Sequence, residues 1–291
     1  MLNPITIVKA TWAVVTHYGT PKDKEILFKD YQGDERISSI VALYRELRIF
    51  GNFQLLWKMR SRPRGRDILW GRRFNDPTYI NDEVIPALSN TEWLQSLPAN
   101  TLGGHLGNMF KNVTLEELLN GQYKENEGVK KDDRLDIYGM TGNAVDDVRT
   151  NMNRYLYLLH DPYHVLFRYD TSTMGESAVQ GVTYKQINFF PTRYCGLAMA
   201  LRAAIATKSL APFGVYFEAE RLGKRAEAKG LWLTDIMELL HRDVQELREE
   251  FDIGLPVKYI DFCMNNQDYV KLDNIHPEYD DVDWDTNEFV I

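Results

Sequence analysis

The stretch HDPYHVLFRYDTSTMGE, from His160 to Glu176, gathers residue types that bind and activate metal ions. His160 and His164 stand four apart, Asp161 adjoins the first, and eleven residues separate His164 from Glu176. The chain has six histidines, so two within one helical turn is a concentration. On a helix, residues four apart lie one above the other on one face, which sets the two imidazoles side by side. Neutral imidazoles ligate zinc, iron, nickel or copper. Two nitrogens do not close a site, and Asp161 and Glu176 are the nearby carboxylates. Two histidines with one or two carboxylates and open positions form a catalytic rather than a structural pattern.

The elements around these residues must do the positioning. YDTSTMG reads as a loop in which the chain reverses at Gly175 and brings Glu176 back over the helix. Other roles stand beside this one. Asp161 could be an N-cap, because Pro162 follows it and proline suits the first helical turn. In a helix interior Pro162 would remove the hydrogen bond to residue 158, so the helix kinks or restarts there. Glu176 could equally cap its own helix. Upstream, a long helix is expected from Asn143, with a seam of Val145, Val148, Met152, Tyr155 and Leu159.

Helical patterns dominate the rest. Ile40, Leu43, Leu47, Phe50, Leu55 and Met59 recur at threes and fours, with a break expected at Gly51-Asn52. Thr114 and Glu117 form a capping box, with Val113 and Leu118 as its staple. A further helix is expected from Leu233 to Glu250, opened by Thr234 or Asp235. Strands are expected around GVTYKQINFF and LPVKYIDFC, where β-branched and aromatic residues gather.

Composition narrows the function. The chain has 291 residues, 44% hydrophobic and 26% charged, enough for a sizeable core. A net charge of -8 and a pI near 5.4 exclude broad nucleic-acid binding. Two cysteines without a C-x-x-C pair exclude a disulfide framework and a cysteine zinc site. No apolar run approaches the ~18 residues of a membrane span. ITIVKATWAVV contains Lys9 and reads as an element of the fold rather than a signal peptide. Against the acidic whole, Lys58, Arg60, Arg62, Arg64, Arg66, Arg72 and Arg73 make a basic run interleaved with Trp57, Trp70 and Phe74. It is either a contact for anionic lipid headgroups or a solvated loop. The tail HPEYDDVDWDTNEF carries six acids and reads as a solvated or loosely docked end.

The spacing H-D-x-x-H followed by G-E resembles the metal motif of the coenzyme Q biosynthesis protein 4 family. RPRGRDILWGRRF, LQSLPANTLG, Arg154 upstream of the H-D pair, and Ala219 to Pro256 resemble other segments of that family in order. Pro162 and the GGHLGNMF segment depart from its pattern. The resemblance implies a mainly α, single-domain multi-helix bundle around a metal site and a hydrophobic channel. Residues 1–55 would be an N-terminal helical extension, 56–265 the core and 266–291 an acidic tail. It further implies a homodimer in ubiquinone biosynthesis, without a transmembrane helix. The chain would be peripheral to the cytoplasmic membrane of a bacterium or the mitochondrial inner membrane of a eukaryote. Its activity would be oxidative decarboxylation at ring carbon 1 of a polyprenylated hydroxybenzoate, alongside other ubiquinone-biosynthesis proteins. The divalent metal would be zinc, with iron or magnesium as alternatives, held by His160, Asp161, His164 and Glu176. Asp161 could instead act from behind a ligand, and Arg154 could grip the substrate carboxylate or pair with Asp147 or Asp161.

Two rivals predict different residues. A prenyl-lipid-binding scaffold of the same family would show no turnover. A metal phosphohydrolase of the H…HD…D type would recruit His105 and either Asp235 or Asp243, leaving His164 and Glu176 without a role.

Overall fold

The computed structural model describes residues 3–17, 38–61, 79–109, 158–267 and 269. Among them the protein is mainly α, and the one β-type pairing is an isolated bridge between Thr101 and Asp243. The expected capping box at Thr114, the helix from Asn143 and Arg154 lie outside the described residues. So do the basic positions Arg62 to Arg73 and the tail beyond Tyr269. Among the described residues no helix is long and apolar enough to cross a membrane.

The chain divides into two compact units. The first contains α1 (Pro4–His17), α2 (Ser38–Ser61), a π-helical turn (Tyr79–Val84) and α3 (Ile85–Ser89), together with residues 188–191. Its α1 and α2 pack side by side through Ala10, Ala13, Val14 and Leu43, all fully or nearly fully buried. The expected break at Gly51-Asn52 does not occur, and α2 runs through it unbroken. Gly51 is there for close approach, since a Cβ would stand 2.3 Å from the Phe189 ring and 2.7 Å from Pro191. Lys58 is also a correction to the basic run, because it is buried rather than presented to solvent.

The second unit holds α4 (Thr91–Ser96) from Glu92 on, α5 (Leu102–Met109), α6 (His160–Phe167) and α7 (Thr173–Ile187). It continues with α8 (Phe190–Thr207) from Thr192, α9 (Ala211–Lys229), α10 (Ile236–Leu239), α11 (Val244–Glu250) and α12 (Val257–Asn265). Both expected strands are helical here: GVTYKQI lies in α7 and VKYIDFC in α12. Burial overrode β-propensity. α7 packs on α9 and is buried on most sides, and its polar groups find partners within the unit. Ser177 Oγ donates to the Gly196 carbonyl at 2.7 Å and Gln186 Nε2 to that of Gly223 at 2.5 Å.

The single helix expected over Leu233–Glu250 is two short ones. Asp235 caps α10 by accepting the Met237 N–H, and Asp243 caps α11 by accepting those of Gln245 and Glu246. The residues between them pair with another segment: Leu102 N–H donates to the Arg242 carbonyl and Val244 N–H to that of Asn100, both at 2.9 Å. Each of the two aspartates that the phosphohydrolase alternative could draw on is therefore engaged as a cap.

Candidate metal centre

α6 starts at His160, so Pro162 falls in its first turn, where a missing N–H costs no intrahelical bond. The helix restarts at the motif rather than kinking through it. It ends in a Schellman motif: Arg168 takes φ 60°, its N–H donates to the Val165 carbonyl at 3.4 Å, and Tyr169 N–H donates to that of His164 at 3.1 Å. This folds the Tyr169 backbone over His164, whose Nδ1 lies 3.0 Å from the Tyr169 carbonyl. Arg248, from α11, donates to the Leu166 carbonyl at 3.1 Å and to that of Val165 at 2.8 Å, supplying the last turn of α6 with donors.

The loop before α7 is shorter than expected, because the helix already starts at Thr173. Asp170 Oδ1 accepts the Ser172 N–H at 2.9 Å and the Ser172 hydroxyl at 2.5 Å, and Ser172 Oγ accepts the Gly175 N–H at 3.2 Å. Ser172 thus does the capping, and Glu176 is left for the site. Gly175 lies hard against Asp170, where a Cβ would stand 2.0 Å from the backbone oxygen. That approach carries Glu176 to the histidines.

Three groups converge. His160 Nε2 and His164 Nε2 are 3.1 Å apart. Glu176 Oε2 lies 3.0 Å from the first and Oε1 3.4 Å from the second. Asp161 joins them, with ligand atoms of His160, Asp161 and His164 all within 4.8 Å of one another. The His164 ring is nearly sealed from solvent, with 1% of its side chain exposed, against about a fifth for His160 and Glu176.

The proton positions follow from these partners. A carbonyl oxygen only accepts, so His164 Nδ1 carries a proton and the neutral ring turns a bare Nε2 toward His160. Burial alone would lower the His164 pKa. The adjacent Glu176 carboxylate, followed by Asp161 and the Tyr169 carbonyl, overrides this and raises it to about 9. Burial would raise the Glu176 pKa, yet the two imidazoles hold it well below the usual carboxylate range. Asp161 is raised, mainly by burial and further by Glu176, against the pull of the histidines.

This donor set fits a cation. Metal–nitrogen bonds of about 2.0–2.1 Å in a tetrahedron put ligand atoms about 3.3 Å apart, close to the spacings seen. Sequence spacing pointed to His160, Asp161, His164 and Glu176, and the structure brings these side chains together. The spacing missed Arg248 and the Tyr169 carbonyl, which act through contacts between distant segments or through backbone. The D-x-S-x-x-G sequence of Asp170, Ser172 and Gly175 was a local capping signal that could have been read. His105, on α5, is not part of this cluster.

A family model described as coenzyme Q (ubiquinone) biosynthesis protein Coq4 matches residues 48–256, a span that includes the whole cluster. No curated protein matches the chain. Among solved structures, the chain is similar to a protein of Nostoc punctiforme PCC 73102 that carries a provisional name as a ubiquinone biosynthesis protein. The two share a TM-score of 0.52 and 15% identity, over 87% of this chain and 100% of the other. At that identity the likeness is one of fold.

Proposed function

The chain belongs to the coenzyme Q (ubiquinone) biosynthesis protein Coq4 family, whose role lies in ubiquinone biosynthesis, and from that premise we propose that it acts on the aromatic ring of a prenylated precursor. In this reading it removes the carboxylate from ring carbon 1 of a polyprenylated hydroxybenzoate and leaves a hydroxyl there. The observation that supports it is the convergence of two imidazole nitrogens 3.1 Å apart on the Glu176 carboxylate. Exchanging carboxylate for hydroxyl releases carbon dioxide and is a two-electron oxidation, so an oxidant of the dioxygen class is consumed. A divalent metal in this cluster would supply Lewis acidity toward the charge that develops as the carboxylate leaves.

The chain's own residues have separate tasks. His160, His164 and Glu176 would hold the ion. The Tyr169 carbonyl keeps the His164 tautomer that points Nε2 inward. Asp161 completes the set or orients an imidazole from behind. Arg154 is assigned to the substrate carboxylate, which its planar fork can grip with two hydrogen bonds. Two imidazoles suit zinc or iron better than magnesium, which prefers oxygen ligands. A homodimer, a channel for the prenyl tail, attachment to a membrane surface and association with other proteins of the pathway belong to the same proposal.

Elemental mass spectrometry tests it, on the purified chain beside His164→Ala and Glu176→Ala. The expected result is about one divalent metal per chain, lost in both variants while circular dichroism stays helical. Loaded protein should then turn over a prenylated hydroxybenzoate. Failure to hold metal after reloading under reducing conditions would sink the catalytic reading and favour the lipid-binding scaffold.

A further inference from the structure

Three basic side chains gather in the second unit, where α5, the end of α6 and α11 meet. His105 lies on α5, Arg168 directly follows α6, and Arg248 lies on α11. The Thr101–Asp243 bridge sets the start of α5 against the start of α11, and His105 N–H donates to the Thr101 carbonyl at 3.0 Å, one turn on. Arg168 Nη2 reaches Gln245 on the same helix as Arg248. Arg248 covers the carbonyl end of α6, which would otherwise repel an anion.

This charge is not neutralised. Among the described residues no carboxylate is ion-paired with Arg168 or Arg248. The acid that acts on Arg248 and His105 is Asp243. Its oxygens are already taken: Oδ1 accepts the Gln245 and Glu246 N–H groups, and Oδ2 accepts the Asn100 amide at 2.6 Å. Arg168 Nη1 and His105 Nδ1 are buried without a hydrogen-bond partner. Arg168 Nη2 has only the Gln245 Oε1 of an exposed side chain, at 3.4 Å, longer than an ordinary hydrogen bond. Buried donors normally find acceptors, and buried cations a counter-charge. Arg168 also stands against backbone preference. Its φ of 60° is at the position after a helix where glycine is the usual residue, so the turn itself does not call for an arginine.

We propose that Arg168, Arg248 and His105 form a binding site for a phosphate group, which replaces the Gln245 side chain on Arg168. Two guanidiniums match a dianion, and donors from three elements suit a tetrahedral anion better than a planar carboxylate. The site uses none of the side chains of the metal cluster and goes beyond the proposed function.

Isothermal titration calorimetry of the full chain tests it, with inorganic phosphate and phenyl phosphate as probes in chloride buffer of constant ionic strength. The expected result is saturable binding of phosphate. Arg168→Gly should weaken it about tenfold or more, while the melting temperature without phosphate does not fall, because glycine suits the turn. Gln245→Glu places a carboxylate on Arg168 and should block phosphate as well, with circular dichroism unchanged. His164→Ala should bind phosphate as the wild type does. Tighter binding of phenyl phosphate would support the site as one for phosphate monoesters, and tighter binding of inorganic phosphate as one for the free ion. Absence of saturable binding by the wild type, or an Arg168→Gly protein that binds like the wild type, would overturn the proposal. So would binding that is lost in His164→Ala and kept in Arg168→Gly, which would put the phosphate on the metal cluster.

Discussion

His160 and His164 on α6 and the row Ile5, Val8, Trp12 on α1 obey the same helical spacing with opposite results. The His164 side chain is 1% exposed, whereas Trp12 is 61% exposed. Spacing selects a face of a helix, and packing decides whether that face turns inward. Around α6 the inward sense is fixed by contacts from other elements: the Tyr169 carbonyl on one imidazole, Arg248 on the last turn, and Gly175 against Asp170. On α1 the inward face is built of small residues such as Ala10 and Ala13, and the large side chains are left outside.

Gly175→Ala should break the first region most severely. The added methyl would stand 2.0 Å from the Asp170 oxygen and 2.5 Å from its carboxylate, so backbone must move. We expect a stability loss of about 3 kcal/mol by chemical denaturation, with metal content falling to background because Glu176 is drawn off the histidines. Phe53→Ser, on the outer face, should change stability by no more than about 0.5 kcal/mol. A Gly175→Ala protein that binds metal and unfolds like the wild type would show that the tight approach does not deliver Glu176.

Titration sharpens the contrast next. The His164 pKa, raised to about 9 from an ordinary 6.5, means that the folded, metal-free site holds a proton that the unfolded chain releases. That contribution to stability is complete below about pH 6.5 and is lost as the pH rises through about 9. The depressed Glu176 pKa works in the opposite sense: its contribution is present above the ordinary 4.5 and is lost as the pH falls through the folded value. Metal must displace the His164 proton, so affinity should rise about tenfold per pH unit up to about pH 9. Competition against a chelator of known protonation measures this, and a flat profile would mean that no such proton is displaced.

The mainly α fold class was legible in the sequence, and so was the grouping of the candidate site; the individual elements around it were less so. His160, Asp161, His164 and Glu176 are close enough in sequence for local geometry to place the first three, and a short reversal supplies the fourth. The reversal was read at Gly175, although the chain turns earlier, through Asp170 and Ser172. The strand expectations failed because β-branched and aromatic residues suit any buried position, and α7 is buried nearly all round. The split between α10 and α11 was hidden because the pairing of residues 240–244 with 100–103 joins segments far apart in sequence. Arg248 was hidden for the same reason, 83 positions from Val165.

Arg248 gives the smallest effect, and it asks whether α6 owes its geometry to ties from other elements. Arg248 is 7% exposed, and its pKa is lowered to about 9 by burial and then by the charge of Arg168. Burying such a cation is costly, and the Val165 and Leu166 carbonyls offset that cost by accepting its hydrogen bonds. Arg248→Met keeps much of the volume but leaves both carbonyls without that donor. The last turn of α6 should loosen, and with it the Schellman turn that sets the Tyr169 carbonyl on His164. We expect metal affinity to fall about tenfold, as for loss of a group that orients a ligand from behind. Arg248→Lys can still donate to one carbonyl and should fall between the two. If Arg248→Met lowers only the melting temperature and leaves metal affinity unchanged, the tie holds the fold together but does not aim His164.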